Sequence, residues 1–463
     1  MVFSEIFNRF ATKSAVSVMF RGTLENAVTA ELLDEVFSTT AKRQRCGQLL
    51  FSSVVNLLAV VATGGRKSVN DAYLARKEEF TVSVTSVYKK LNGTETEVSR
   101  QMVRQTAMRM ADVVTQLAPQ RQPMLAGYRT KILDGNHLAA TEHRIEELRA
   151  IAAGPLPGHA LVVLEPDRML ATDVFPCEDG HAQERSLLPQ VLTTVEARDV
   201  WIADRNFCTT GFLFGIANQG AAFVIRQHKQ TLTYELLGER RKLGRCPTGM
   251  IYEQKMQLTD EAGKSRTIRR ITIELKQPTR DGETEIHVLT NLPALAANAR
   301  AVANLYLYRW TVERAFHELD QAFNGEIKTL GYPGAALLSF CVALLAYNVT
   351  SVVKSALAAT HGDKAKREDL SGYYLAGEVA AAYYGMMIAV PEAEWTAHFA
   401  LLSPAELARI LKALAANVRL DRFRKNVRGP KKPAPKRVYD KKHPHVSTAR
   451  ILAKRQQQIV TQC

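Results

Sequence analysis

The chain lacks a thiol framework. Its six cysteines, Cys46, Cys177, Cys208, Cys246, Cys341 and Cys463, lie far apart and form no C-x-x-C pair. That excludes a zinc ribbon, a thioredoxin-type redox site and a disulfide-stapled secreted module. It also lacks an apolar leader: Glu5, Arg9 and Lys13 interrupt the first twenty residues, so the expectation is a protein of a reducing cytoplasm. Long unbroken apolar runs are missing too. Ser52, Ser53 and Asn56 break the run at 49–63, and Ser339, Asn348 and Ser351 break that at 335–353; both are expected as buried helices, not membrane spans. No phosphate-binding loop is present, because Leu258 stands where the first glycine of G-x-x-x-x-G-K-[ST] would precede Gly263-Lys264-Ser265. No nucleotide cofactor is therefore expected. His137, His143, His159 and His181 form no H-x₃-H pair and lie near no cysteine at zinc-finger spacing, so they are expected to be structural or exposed.

What is present is length, apolar content and positive charge. The 463 residues suffice for about three domains, and a hydrophobic share of 46% can bury a sizeable core. The net charge is +15, of which residues 419–455 contribute +12 through fourteen Lys or Arg against Asp421 and Asp440. Such density displaces counterions from a nucleic acid backbone and gives salt-sensitive affinity. Lys431, Lys432, Lys436 and Arg437, set among prolines in an extended, solvated stretch, are the candidate phosphate contacts. A merely solubilising terminus has the same composition.

Helical periodicity dominates the first 120 residues: Leu32, Leu33, Val36 and Phe37 form one stripe, and Val98, Met102, Met110, Val113 and Leu117 another. Thr94 to Glu97 offers a capping box before the second set. Residues 83–91, with Ser, Thr, Tyr and Lys side chains, suit a recognition helix and equally an ordinary solvated helix face. From Tyr128 the pattern turns to strands at 131–133, 160–164, 169–175, 200–203 and 222–226, with a helical stretch at 185–196. An antiparallel β insertion follows, with strands at 252–258, 267–275 and 283–289 and a turn at Asp281-Gly282. Helix returns after Pro293 and runs to about Asn417.

Two strands end in an aspartate, at Asp134-Gly135-Asn136 and Asp204-Arg205-Asn206. Either is an ordinary strand-to-turn sequence when seen alone. Residues 306–320 then predict a helix in which Val312, Phe316, Leu319 and Phe323 make a core stripe. Tyr306, Arg309, Glu313 and Asp320 share a flank about 80–90° around from it. Asp134 and Asp204 from neighbouring strands, with Glu313 from a packed helix, can complete an oxygen-rich site for Mg²⁺. Two such ions can activate a water or a 3′-hydroxyl and stabilise the leaving oxygen at a phosphodiester. Arg309, one turn before Glu313, can hold a substrate phosphate; the bland alternative is a surface ion pair.

Tyr306, Arg309 and Glu313 reproduce the first three positions of a Tyr-(2)-Arg-(3)-Glu-(6)-Lys signature, and here the chain resembles bacterial insertion-sequence transposases of the DDE type, the insertion-sequence-four family. Leu133-Asp134-Gly135-Asn136 is similar to the family's first aspartate motif and Ile202-Ala203-Asp204-Arg205-Asn206-Phe207 to its second. The resemblance implies an α/β fold: an RNase H-like mixed sheet with flanking helices, interrupted by a mainly β insertion. To this the chain adds a helical N-terminal domain and a basic C-terminal tail. The expected division is 1–120 for N-terminal DNA binding, 121–227 and 293–355 for the two parts of the catalytic core, and 228–292 for the insertion. A helical region at 356–420 and the tail at 421–463 complete it.

By the same resemblance, Asp134, Asp204 and Glu313 bind two Mg²⁺ or Mn²⁺ ions, while Tyr306, Arg309, Arg205 and Asn206 lie at the DNA. One position departs: Asp320 occupies the signature's lysine, and a carboxylate repels the phosphate that a lysine attracts. The implied function is binding of terminal inverted repeats, metal-dependent strand cleavage and transfer into target DNA. The partners are double-stranded DNA and a second copy assembled on it, with no membrane. Two alternatives stand beside it, a catalytically inactive DNA-binding derivative and an RNase H-like nuclease that cuts without joining.

Overall fold

The structure is a computed structural model and describes residues 4–45, 47–118, 122–228, 232–279, 282–362, 366, 369–426 and 444–462. The expected phosphate contacts Lys431, Lys432, Lys436 and Arg437, and Asp281 of the insertion turn, lie outside the described residues.

Strands β1 (Arg129–His137), β2 (Pro155–Leu156), β3 (His159–Glu165), β4 (Leu170–Cys177), β5 (Asp199–Ala203) and β6 (Ala222–Arg226) precede the insertion. It comprises β7 (Thr233–Cys246), β8 (Gly249–Thr259), β9 (Ser265–Leu275) and β10 (Glu285–Thr290). Nine of these strands form one sheet in the order β4-β3-β1-β5-β6-β10-β9-β8-β7. β1, β3 and β4 are antiparallel neighbours, whereas β1, β5 and β6 run parallel. An antiparallel meander joined to two parallel strands is the RNase H-like arrangement that the resemblance implied. The insertion adds no separate layer; from β6 it continues the same sheet outward through β10.

β7 is the strand that periodicity misses. Its Tyr-Glu-Leu-Leu-Gly-Glu-Arg-Arg-Lys-Leu-Gly-Arg run is exposed nearly throughout, so no buried face imposes alternation. Gly238 and Gly244 take positive φ where the ladder with β8 slips, and bulges and charges of this kind protect an exposed edge from foreign strands. The opposite edge, β4, is covered. Asn348 closes two hydrogen bonds with the backbone of Ala171, at 2.8 and 2.9 Å. Arg100 grips Asp173 through two nitrogens at 3.0 and 3.2 Å.

The N-terminal helices are α1 (Glu5–Lys13), α2 (Ala15–Ala27), α3 (Ala30–Thr40), α4 (Phe51–Ala62), α5 (Val69–Ala75), α6 (Val84–Gly93) and α7 (Thr96–Leu117). Both expected stripes are buried, on α3 and α7. The expected capping box is not formed: Glu95 takes the N-cap position of α7 but its carboxylate accepts from the Lys42 and Arg43 N–H groups, and the Thr94 hydroxyl donates to the Lys90 carbonyl of the preceding helix. On α6, Lys90 packs inward over the Phe37 ring at 3.9 Å while Lys89 stays exposed.

Two short helices, α8 (Leu188–Leu192) and α9 (Thr210–Asn218), flank β5 in sequence. After the sheet come α10 (Ala299–Leu307), α11 (Trp310–Ala322), α12 (Pro333–His361), α13 (Gly372–Ala389), α14 (Glu392–Trp395), α15 (Pro404–Ala415) and, near the end, α16 (Thr448–Gln462). α12 starts on Pro333 and ends at Gly362, whose positive φ suits a helix stop. It is long and apolar enough to cross a bilayer, yet its apolar window is wholly buried among the other elements. It is the central core helix, packed against α7, α15, α4 and β4.

Near the end of the chain, β11 (Val446–Ser447) pairs in parallel with β2. Ser447 and Arg450 then each hold Asp179 at 2.7 Å.

Candidate active site

Register and parity place the first two acids. Ile132 pairs with Ile202 and Leu133 with Ala203 across the parallel β1–β5 ladder, so the next positions along are Asp134 and Asp204. Strand residues alternate faces. Leu133 and Ala203 belong to the apolar cluster on one side of the sheet, and Ile132 and Ile202 to that on the other. Asp134 and Asp204 therefore share the face on which α10, α11 and α12 lie. Asp204 follows β5 directly, as expected. Asp134 does not end its strand: the ladder with β3 carries β1 on to His137, while pairing with β5 stops at Leu133.

The expected single helix over 306–320 is two helices. α10 ends at Leu307 and α11 starts at Trp310, with Tyr308 and Arg309 in the turn between. Both turn residues keep helical dihedrals, so the chain kinks without a loop, and Thr311 N–H bonds to the Tyr308 carbonyl at 2.8 Å. Val312 and Leu319 are buried and Phe316 is partly buried, as the stripe predicts. The helix ends at Ala322. Asp320 is exposed two turns after Glu313.

Two side chains from this kink join the acids. The Tyr306 hydroxyl donates to Asp204 Oδ1 at 3.3 Å. Arg309 Nη1 donates to Asp134 Oδ2 at 3.1 Å and lies 2.8 Å from Glu313 Oε1. The guanidinium is 7% exposed, whereas Glu313 is 40% exposed, and it stacks over the Trp310 ring at 4.6 Å. Arg309 Nε is buried without a hydrogen-bond partner.

Electrostatics follow from burial and crowding. Burial pushes the Asp134 carboxyl up to about 7; the Arg309 charge and the Gly135 N–H oppose this, and the negative charges of Glu313 and Asp204 add to it. Tyr306 is pushed up to about 12 by burial and by Asp204, so its phenol stays a donor at neutral pH. Burial works against the Arg309 charge, yet Tyr306, Asp204, Asp134 and Glu313 together hold its pKa above the usual value.

The expectation is that the three carboxylates converge on one site. Among the described residues, no group of three His, Cys, Asp or Glu side chains stands close enough to hold a metal ion. The reason is Arg309, whose cationic head lies between Asp134 and Glu313. The donor set itself fits a hard divalent ion: it offers carboxylate oxygens only, Asp134 feels the charge of the other two acids, and a cation already rests among them.

Arg205 and Asn206 are engaged elsewhere. Arg205 pairs with Glu283 at 3.4 Å, and the Asn206 amide donates to Glu184. Sequence reasoning passed over Glu184, which stands 20 positions before Asp204 and bears no signature of its own. The four histidines hold no shared ion site; His159 is buried and stacks on His137 with ring centroids 5.0 Å apart.

Residues 158–349 match the family model described as the transposase DDE domain. The matched span contains Asp204, Tyr306, Arg309 and Glu313 and starts after Asp134. No curated protein matches the chain. The order of the strands, the shared face of the acids and this match point the same way: residues 158–349 are similar to the transposase DDE domain.

Proposed function

We propose that this protein is an insertion-sequence transposase of the insertion-sequence-four type, which binds the terminal inverted repeats of its element, cleaves the ends and joins the 3′-hydroxyls to target DNA. The observation that carries this is the link from Asp134 through Arg309 to Glu313 and from Tyr306 to Asp204. Three acids remote along the chain are tied to the two other residues of one signature.

Asp134, Asp204 and Glu313 would hold the divalent ions, Mg²⁺ or Mn²⁺. Bound there, such ions supply Lewis-acid stabilisation of the attacking and leaving oxygens during in-line displacement. The protein's own residues orient and exclude. Tyr306 is a protonated donor fixed on Asp204, and Arg309 presents the positive charge nearest the acids to a scissile phosphate. The half-exposed Trp310 backs the guanidinium. Phosphoryl transfer asks for positioning and charge stabilisation more than covalent help. Two ends must be joined in one event, so two copies assemble on DNA, in the cytoplasm of a bacterium.

Asp320 favours one competing reading, a DNA-binding derivative that no longer cleaves, because an exposed carboxylate stands where the signature places a lysine. Supercoiled plasmid carrying paired element ends separates the readings. Strand-transfer products support the proposal; metal-dependent nicking without joining indicates a nuclease, and a mobility shift without cleavage indicates the inactive derivative.

A further inference from the structure

The face of the sheet opposite the acids carries a second polar arrangement. Glu184 opens a short 3₁₀ turn, Glu184–Leu187, whose Leu187 and the following Leu188 pack into the apolar cluster with Leu133, Ala203 and Phe207. The turn is therefore fixed to the backs of β1 and β5. From it the Glu184 carboxylate, 15% exposed, lies against both catalytic strand ends. Its Oε2 accepts the Asn206 side-chain amide. Its Oε1 stands 3.6 Å from His137 Nδ1 and rests on the α-carbon of Gly135, so that a Cβ at that position would overlap the carboxylate. Gly135 has no positive φ, so space, not backbone freedom, demands glycine here. Arg185 completes the grip by donating Nε to the Asn206 carbonyl at 2.5 Å.

We propose that Glu184 is a positioning residue for the metal site: it ties the residue after Asp134 to the turn after Asp204 and so sets the spacing of the two aspartates from behind. The inference rests on the metal-dependent reading above and goes beyond it by assigning a role to a residue outside the signature. No ladder hydrogen bond spans this gap, since β1–β5 pairing stops at Leu133 and Ala203. The Glu184–Asn206 contact bridges the two strand ends just past that point. An outer brace of this kind typically changes metal affinity by about 10–100-fold when removed.

The test uses full-length protein and two readouts: Tb³⁺ luminescence titration without DNA, and the Mn²⁺ concentration giving half-maximal nicking of paired-end plasmid. Glu184→Ala and Asn206→Ala are each expected to weaken Tb³⁺ binding and raise the Mn²⁺ requirement about tenfold, with end binding in EDTA unchanged in Glu184→Ala. The double variant should be no worse than either single one, because both remove one contact. Glu184→Gln, which keeps an acceptor for Asn206, should stay within about threefold of wild type. Wild-type metal dependence in Glu184→Ala or Asn206→Ala, additive losses in the double variant, or Glu184→Gln as damaging as Glu184→Ala would each overturn the brace. The Tb³⁺ titration reports on it whether or not the plasmid is cut, so its failure is distinct from failure of the transposase reading.

Discussion

Arg309 and Asp134, 175 residues apart, meet through a 3.1 Å hydrogen bond on a nearly buried guanidinium. The same nitrogen reaches Glu313. A positive charge thus occupies the space in which three carboxylates would repel one another, and the free protein carries its own counterion.

Replacing Arg309 by methionine leaves the acids without that counterion. Breaking a buried ion pair costs about 3 kcal/mol, so Arg309→Met should lower Tm in EDTA. Millimolar Mn²⁺ should restore much of the loss, because the ion takes over the neutralising role. Thermal unfolding with and without Mn²⁺ checks this; a loss that Mn²⁺ leaves untouched would separate Arg309 from the metal site.

Removing any one acid should stop the chemistry and spare recognition. Asp134→Ala, Asp204→Ala and Glu313→Ala are each expected to reduce plasmid cleavage more than about a hundredfold. Binding of end DNA in EDTA should remain within about threefold of wild type, since phosphate contacts elsewhere supply most of that affinity. Retained cleavage in any one variant counts against the assigned triad.

Asp134 makes stability depend on pH in a definite direction. Burial raises its folded-state pKa to about 7 from the ordinary aspartate value of 3.8. Between those values the folded chain holds a proton that the unfolded chain has released, so this group's contribution is full at low pH and is lost as pH rises toward 7. In EDTA, Asp134→Asn should therefore gain Tm relative to wild type as pH climbs from 4 to 7. Divalent ions must displace the same proton, so the wild-type Mn²⁺ requirement should rise as pH falls below about 7. A Tm difference that stays flat across this window would remove Asp134 as its source.

The basic segment is expected to act through charge alone. Changing Lys431, Lys432, Lys436 and Arg437 together to glutamine should reduce the slope of log affinity against log salt by about 3 to 4 for non-specific duplex. Discrimination between end and random sequence should persist. An unchanged slope would mean that these cations do not touch phosphate.

The first six strands of the fold were largely legible where they are short, apolar and bounded by turn residues; 200–203 and 222–226 match β5 and β6 almost residue for residue. Strand β7 was hidden, since a ribbon exposed on both faces has nothing to bury and so no reason to alternate. The kink at Tyr308 and Arg309 was hidden as well. Both residues keep helical dihedrals, and neither glycine nor proline marks the break. The acids were found through the order of two aspartates and one signature. What lies between them was not, because an Arg–Glu pair four residues apart is commonplace on a helix surface, and only the β1–β5 register brings Asp134 to the same guanidinium. Glu184 was invisible for a similar reason: its importance lies in a contact across the sheet, and in an empty side-chain position at Gly135.

Asn426 bonds to the Tyr374 hydroxyl on one side of residues 427–443, and β11 is seated on β2 on the other, so both borders of that stretch are fastened to the folded body. A duplex drawn to its cations would thereby be drawn to the body as well.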